Sequence, residues 1–199
     1  MTSYVCISII YFDNFLFLCQ NFKKMKKIIA LSIVSVLATA CFKKKAVVAE
    51  SKKYSNTCEP NQFWLNDNLI KEIGNQAHTG SYACVMSTKN EFGLGLKQPL
   101  IEATNNSTLQ KVTVSFWVKA TKMPLKASFV YSIDADKNLF WEGQPLKEIV
   151  KEENKWIFVQ LEKTLPAIDN KDANIGAYIY NLEKDSFLVD DLNITFSTK

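Results

Sequence analysis

The 199-residue chain is 47% hydrophobic with a formal net charge of +4, enough for one ordinary domain with a packed core. The charge is uneven: residues 1–53 hold 9 Lys against 2 acids, Asp13 and Glu50, a balance of +7, and the remainder holds 15 Lys against 18 acids, a balance of −3. Every basic residue is Lys; a slightly acidic body without arginine to fork onto phosphates or guanine edges excludes nucleic acid as a partner.

The N-terminal region reads as an address. In residues 25–41, MKKIIALSIVSVLATAC, Lys26 and Lys27 form a basic start, Ile28 to Leu37 an apolar run too short to span a bilayer comfortably, and Ala38, Thr39 and Ala40 a small-residue stretch before Cys41. Small residues directly before a cysteine resemble the lipobox of bacterial lipoproteins, with Leu37 one place earlier than the usual leucine. The resemblance implies a signal peptide over 25–40, cleavage, and lipidation of Cys41. Phe42 stands where an inner-membrane retention Asp would sit, which implies a lipid-anchored protein of the outer membrane or cell surface. Residues 1–24 are apolar and aromatic and precede a second Met. They read as an extra segment or a mis-assigned start, with translation beginning at Met25. Residues 41–57, the lipidated Cys and a Lys- and Ser-rich stretch of little periodicity, read as a flexible tether, leaving 58–199 as the folded domain.

With Cys6 and Cys19 in the leading segment and Cys41 assigned to lipid, Cys58 and Cys84 remain. An exported domain favours a disulfide between them, closing a loop of about 26 residues and contributing ~3 kcal/mol; two buried free thiols are the other reading.

From residue 82 the chain runs as short alternating segments, with expected strands at 82–87, 91–97, 111–119, 126–134, 155–163, 174–181 and 186–196. Each has one apolar face: Val112, Val114, Phe116 and Val118; Ala127, Phe129, Tyr131 and Ile133; Ile157, Val159 and Leu161; Ile175, Ala177 and Ile179. In the last run, period two places Asp190 beside Leu188, Leu192, Ile194 and Phe196. One short helix is expected at 143–154. Many strands without alternating helices specify an all-β fold, a sandwich or jelly roll.

The order Cys58-Glu59, Trp64, AHTGSYACV (77–85), VSFWVKA (114–120), KWIFVQL (155–161), AYIYN (177–181) and FLVDDLNITF (187–196) resembles the jelly-roll carbohydrate-binding modules that accompany bacterial cellulases and xylanases, of the galactose-binding-like fold. Cys58 replaces the aromatic of that family's first strand and Thr79 replaces its serine. The resemblance implies a jelly-roll β-sandwich and a structural Ca2+ between first and last strands. Glu59 and Asp190 would be its carboxylates, and the Thr79-Gly80 turn would lend carbonyls. A cation also suits the chemistry, since a buried unpaired carboxylate costs several kcal/mol or protonates; a cap on backbone N–H groups is the alternative.

Aromatics on faces that should be polar mark a ligand surface. Trp117, Tyr178 and Tyr180 form the candidate platform for the flat C–H faces of sugar rings, with Trp141, expected on a loop, as a tip contact; packing under loops is the bland alternative. The lone His78 reads as a turn residue, since it has no second histidine for a zinc site or dyad. Asp134/Asp136 and Glu152/Glu153 would be the acids of a small glycosidase, but they fall in charged, solvated stretches. The expected function is a non-catalytic envelope lipoprotein that binds a polysaccharide or glycan beside separate glycan-degrading enzymes. The rival is a scaffold that uses the same fold to bind protein.

Overall fold

The computed structural model describes residues 50–60 and 64–199. The lipobox segment, Cys41 and residues 1–24 lie outside the described residues. Ten strands follow in chain order: β1 (Ser51–Asn56), β2 (Ile70–Glu72), β3 (Tyr82–Met86), β4 (Phe92–Pro99), β5 (Leu109–Ala120), β6 (Ser128–Asp134), β7 (Asn138–Pro145), β8 (Ile157–Thr164), β9 (Asn174–Tyr180) and β10 (Phe187–Thr198), with a four-residue helix α1 (Leu100–Ala103) after β4.

They form two antiparallel sheets. The larger runs β2-β3-β10-β5-β8, with β1 also on β10; the smaller runs β4-β9-β6-β7. From β3 onward the chain crosses between the sheets at every connection except the β6–β7 pair, and the architecture is the expected jelly-roll β-sandwich. Long β10 serves two partners along one edge: residues 187–189 pair with β3, and 192–197 pair with β1. Its other edge pairs with β5.

The alternation in β5 is followed to the letter: Val112, Val114, Phe116 and Val118 are fully buried. Their partners across the core are Phe129, Tyr131 and Ile133 of β6 and Ile175, Ala177 and Ile179 of β9. Phe116 and Phe129 stack between the sheets at 5.6 Å. At one side the sandwich is closed by Lys163 of β8 bonding Glu142 of β7, with Tyr131 buried behind it; burial, and then the charge of Glu142, push the Tyr131 phenol up.

Three expectations are corrected. Residues 51–56, read as tether, are β1, paired along their whole length to β10, with Tyr54 set edge-on to buried Phe196 at 5.8 Å. Residues 138–145, read as a loop leading into a helix, are β7, followed only by a 3-10 turn at Leu146–Glu148. Gly143 and Pro145 look like breakers, but β7 pairs only with β6 within its sheet, and an edge strand tolerates both. Third, a bulge between Asp190 and Asn193 shifts the phase of β10, so the buried apolar set is Phe187, Val189, Leu192, Ile194 and Phe196. Asp190 lies on the opposite side from Val189.

A chain beginning at Cys58, lacking β1, is expected to be less stable than one that retains it by roughly 2–3 kcal/mol, the burial of one large side chain plus a lost strand edge. Denaturant unfolding of the two forms measures the difference.

Candidate functional site

The sequence-predicted residues separate onto two faces. Trp117 is on the outer face of the larger sheet, opposite Phe158 in register and tilted against it at 5.3 Å. Its other side is covered: the His78 imidazole stacks on Trp117 at 4.0 Å and 18°, and Trp156 meets His78 edge-on at 5.7 Å. Trp156 Nε1 donates to the Gln76 carbonyl at 3.2 Å. This is a packed cluster, and Trp117 leaves the platform.

The last strand holds His78 in place. Asp190 is fully buried, and its Oδ2 accepts the backbone N–H of His78 at 3.0 Å and of Thr79 at 3.2 Å, while Oδ1 accepts the Asp191 N–H at 2.8 Å. Asp191 takes the side chains: His78 Nδ1 at 2.8 Å and the Thr79 hydroxyl at 2.8 Å. Burial pushes the Asp190 carboxyl above its ordinary range despite those N–H donors. The folded state therefore binds this proton more tightly than the unfolded chain. The destabilisation is absent below the unfolded value of 3.8 and grows as pH rises through the raised folded one.

Glu59 joins the same turn. Its Oε1 accepts the Ser81 N–H at 3.0 Å, and a Cβ on Gly80, where φ is +60°, would lie 1.8 Å from that oxygen. A hard cation would thus find two carboxylates at one turn, but both Asp190 oxygens already accept N–H groups. Among the described residues no group of three or more His, Cys, Asp or Glu is gathered for a metal.

Cys58 and Cys84 are buried free thiols, which corrects the expected disulfide. Cys58 turns through φ 60° and its Sγ is directed at the Val189 carbonyl, 3.6 Å away, with Cys84 across from Val189 in the register. Burial pushes both thiols up, Cys84 to about 12, so neither is a thiolate near neutrality. Of the predicted acids, Asp134 takes Ser132 and Asn138, Glu152 takes Lys155, and Glu153 takes the Met123 N–H.

The smaller sheet is different. On its outer face Tyr178 and Tyr180 of β9 stand beside Phe92 of β4, with ring centroids 6.0 and 5.3 Å from Phe92, and Trp141 of β7 meets Tyr180 edge-on at 6.1 Å. Phe92 is 49% exposed and Trp141 50%. The rings lie low because glycines sit beneath them. A Cβ on Gly95 would come 2.3 Å from the Tyr178 Cβ, and one on Gly143 3.3 Å from the Trp141 Cη2. The Tyr180 hydroxyl donates to Glu91 at 3.2 Å; burial first, and then Glu91, raise its pKa. Beside Trp141 and Tyr180 a cavity of about 360 Å³ opens. A second, of about 320 Å³, lies by α1 and is lined by no aromatic ring. Three of the four expected platform residues are therefore together, and sequence reasoning missed Phe92. Its signal was an aromatic at the head of a glycine-spaced strand, FGLGL.

No protein-family model matches the chain, and no curated protein matches it. Among solved structures, it is similar to a xylan-binding family 22 carbohydrate-binding module from Paenibacillus barcinonensis at 16% identity and TM-score 0.45, covering 73% of this chain and 94% of that one. It is also similar to the K2 cleaved adhesin domain of Lys-gingipain at 15% identity and TM-score 0.43, covering 74% and 98%, and to the C-terminal family 6 module of a laminarinase from Zobellia galactanivorans at 13% and 0.32, covering 75% and 100%.

Asp190→Ala, which strands the N–H groups of His78, Thr79 and Asp191, is expected to destabilise the fold by ~2–4 kcal/mol. Thermal and denaturant unfolding at neutral pH check it, and near-ultraviolet dichroism is expected to lose the signature of the His78–Trp117 stack.

Proposed function

We propose that the protein is a non-catalytic envelope lipoprotein that binds a carbohydrate on the outer face of the smaller sheet. The observation that carries this reading is the continuous line of Phe92, Tyr178, Tyr180 and Trp141, half-exposed at both ends, on a sheet face whose glycines leave the rings room. A sugar ring offers a flat C–H surface to such rings, and hydroxyl partners stand at the rim: Glu91 by Tyr180, and Lys97 paired loosely with Asp134 at 3.9 Å. Few polar groups around an apolar floor suit a ligand that is half hydroxyl and half hydrocarbon. The anchor is proposed from residues 25–41 alone, with Cys41 lipidated and the domain carried at the outer membrane or cell surface near glycan-degrading enzymes.

Calcium belongs to the proposal as well. Glu59 and Asp190 would hold it, with the Thr79 and Gly80 carbonyls beside them, and it would supply positive charge to a buried carboxylate whose proton affinity is already raised. On this reading EDTA lowers Tm and added Ca2+ restores it. An unchanged Tm leaves the N–H groups as the only partners of Asp190.

The binding test is calorimetric titration of the full chain in mild detergent against a panel of soluble polysaccharides. Trp141→Ala and Tyr178→Ala are each expected to weaken binding about tenfold or more, ~1.4 kcal/mol, with the fold intact. Trp117→Ala is expected to lower Tm and leave Kd within about two-fold, under ~0.5 kcal/mol. Absence of any glycan binding overturns the reading and favours a protein partner on the same rings.

A further inference from the structure

The charges at the Trp141 end of the platform carry the reading one step further, to the class of sugar. The cavity there is walled by Trp141, Tyr180 and Leu182, and its charged lining is Lys126, Lys147 and Glu183. Lys126 and Glu183 face each other at 3.5 Å. Lys147 has no ion pair and its ammonium no hydrogen bond among the described residues. Its backbone carbonyl accepts the Lys151 ammonium at 2.8 Å, which brings another positive charge to the same turn. Glu148, also on that turn, is exposed and does not line the cavity. Glu91, beside Tyr180, is engaged by the Tyr180 hydroxyl.

The turn that presents Lys147 is well fixed. Pro145 precedes it, Leu146 and Val150 are fully buried, and the Leu146 N–H donates to the Ala127 carbonyl at 2.9 Å. The lysine therefore stands on an anchored backbone at the edge of an aromatic floor, paired with no carboxylate among the described residues. Such an arrangement suits a ring that lies flat on Trp141 and Tyr180 and carries an anionic group in its own plane, projecting past the ring edge. A uronate carboxylate has that geometry; a sulfate ester shares the charge.

We propose that the platform takes an acidic glycan, a uronic-acid polysaccharide stacked on Trp141 and Tyr180 with its carboxylate at Lys147. Lys126 is the second contact, sharing itself between Glu183 and the ligand. This rests on the reading that the face binds sugar. A lysine ammonium is a compact point charge that needs no bidentate fork, so one carboxylate per sugar residue suffices, and the contact weakens with salt because it is at the surface.

The test titrates the full chain in detergent with polygalacturonate, its carboxyl-reduced neutral counterpart, unsubstituted xylan and dextran sulfate. Polygalacturonate is expected to bind at least about tenfold tighter than the carboxyl-reduced polymer, ~1.4 kcal/mol, with the ratio shrinking as salt is raised. Lys147→Gln is expected to bring the ratio to near one, and Lys126→Gln to lower it less, both with unaltered Tm. Equal binding of the acid and reduced polymers overturns the acidic-glycan assignment and leaves the sugar reading standing. Binding of none of the four polymers overturns both. Tighter binding of dextran sulfate than of polygalacturonate, unaffected by Trp141→Ala, overturns the assignment in favour of bare ion exchange.

Discussion

One residue too many in β10, between Asp190 and Asn193, decides which side of the larger sheet is core and which is not. The extra residue is absorbed at Asp191, held at φ 53°, a left-handed conformation that costs a non-glycine residue about 1–2 kcal/mol. Beyond the bulge the strand changes partner, from β3 to β1, and its apolar residues change phase, from Val189 to Leu192. At the bulge two carboxylates project toward the turn that precedes β3. One grips backbone N–H groups and the other grips side chains. The polar grip is therefore what seats His78 on Trp117, and the seating of His78 is what closes the outer face of the larger sheet at that point.

The two outer faces then have opposite characters although both carry aromatics. On the larger sheet the rings face one another through His78, and Trp156 is tied by its indole N–H to the Gln76 carbonyl. On the smaller sheet no loop residue among those described is stacked between the rings. They meet their neighbours along the face, tilted or edge-on at 5.3 to 6.1 Å, distances at which aromatic pairs hold each other in place. The first arrangement spends its aromatic surface on stability. The second leaves it available.

What could be read from the residues follows from what determines each feature. Strands β5, β6, β8 and β9 were legible because alternate residues of each enter the core, and the period of two is written directly into Val112–Val118 or Ile175–Ile179, although in β6 the residues between are buried as well. β1 was not, because SKKYSN contributes only Tyr54 and Asn56 to the interior and its polar residues look like a tether until the pairing with β10 is known. β7 was hidden by Gly143 and Pro145, whose cost disappears at a sheet edge. The inversion in β10 was hidden because periodicity assumes an unbroken phase, and a bulge breaks it at the residue in question. Grouping Trp117 with Tyr178 failed for a topological reason: both point outward, but from different sheets, and outward is not one place in a sandwich. The cysteines failed for a geometric one, since spacing and compartment favour a bond while the thiol direction is set by a left-handed turn at Cys58.

The exposed rings of the smaller sheet need a reason that packing does not supply. Burying a side chain of this size is worth about 1.5–3 kcal/mol relative to leaving it in water, and a face holding Phe92 and Trp141 half-exposed forgoes a good part of that twice. Polar residues there would forfeit only the ring-to-ring contacts along the face. Nor are the rings loose ends: they rest over Gly95 and Gly143, positions where any larger residue would lift Tyr178 or crowd Trp141. Strands accept glycine at some cost to their own stability, so the face gives up stability once for its glycines and again for its exposed rings, and what it obtains is a low, pre-ordered apolar floor. Pre-ordering would matter for the proposed ligand, since a polysaccharide loses chain freedom on binding and a floor that need not rearrange would add no second entropic cost. Lys147 follows the same logic at the edge of that floor: a charge carried on an anchored turn and used by no ion pair among the described residues.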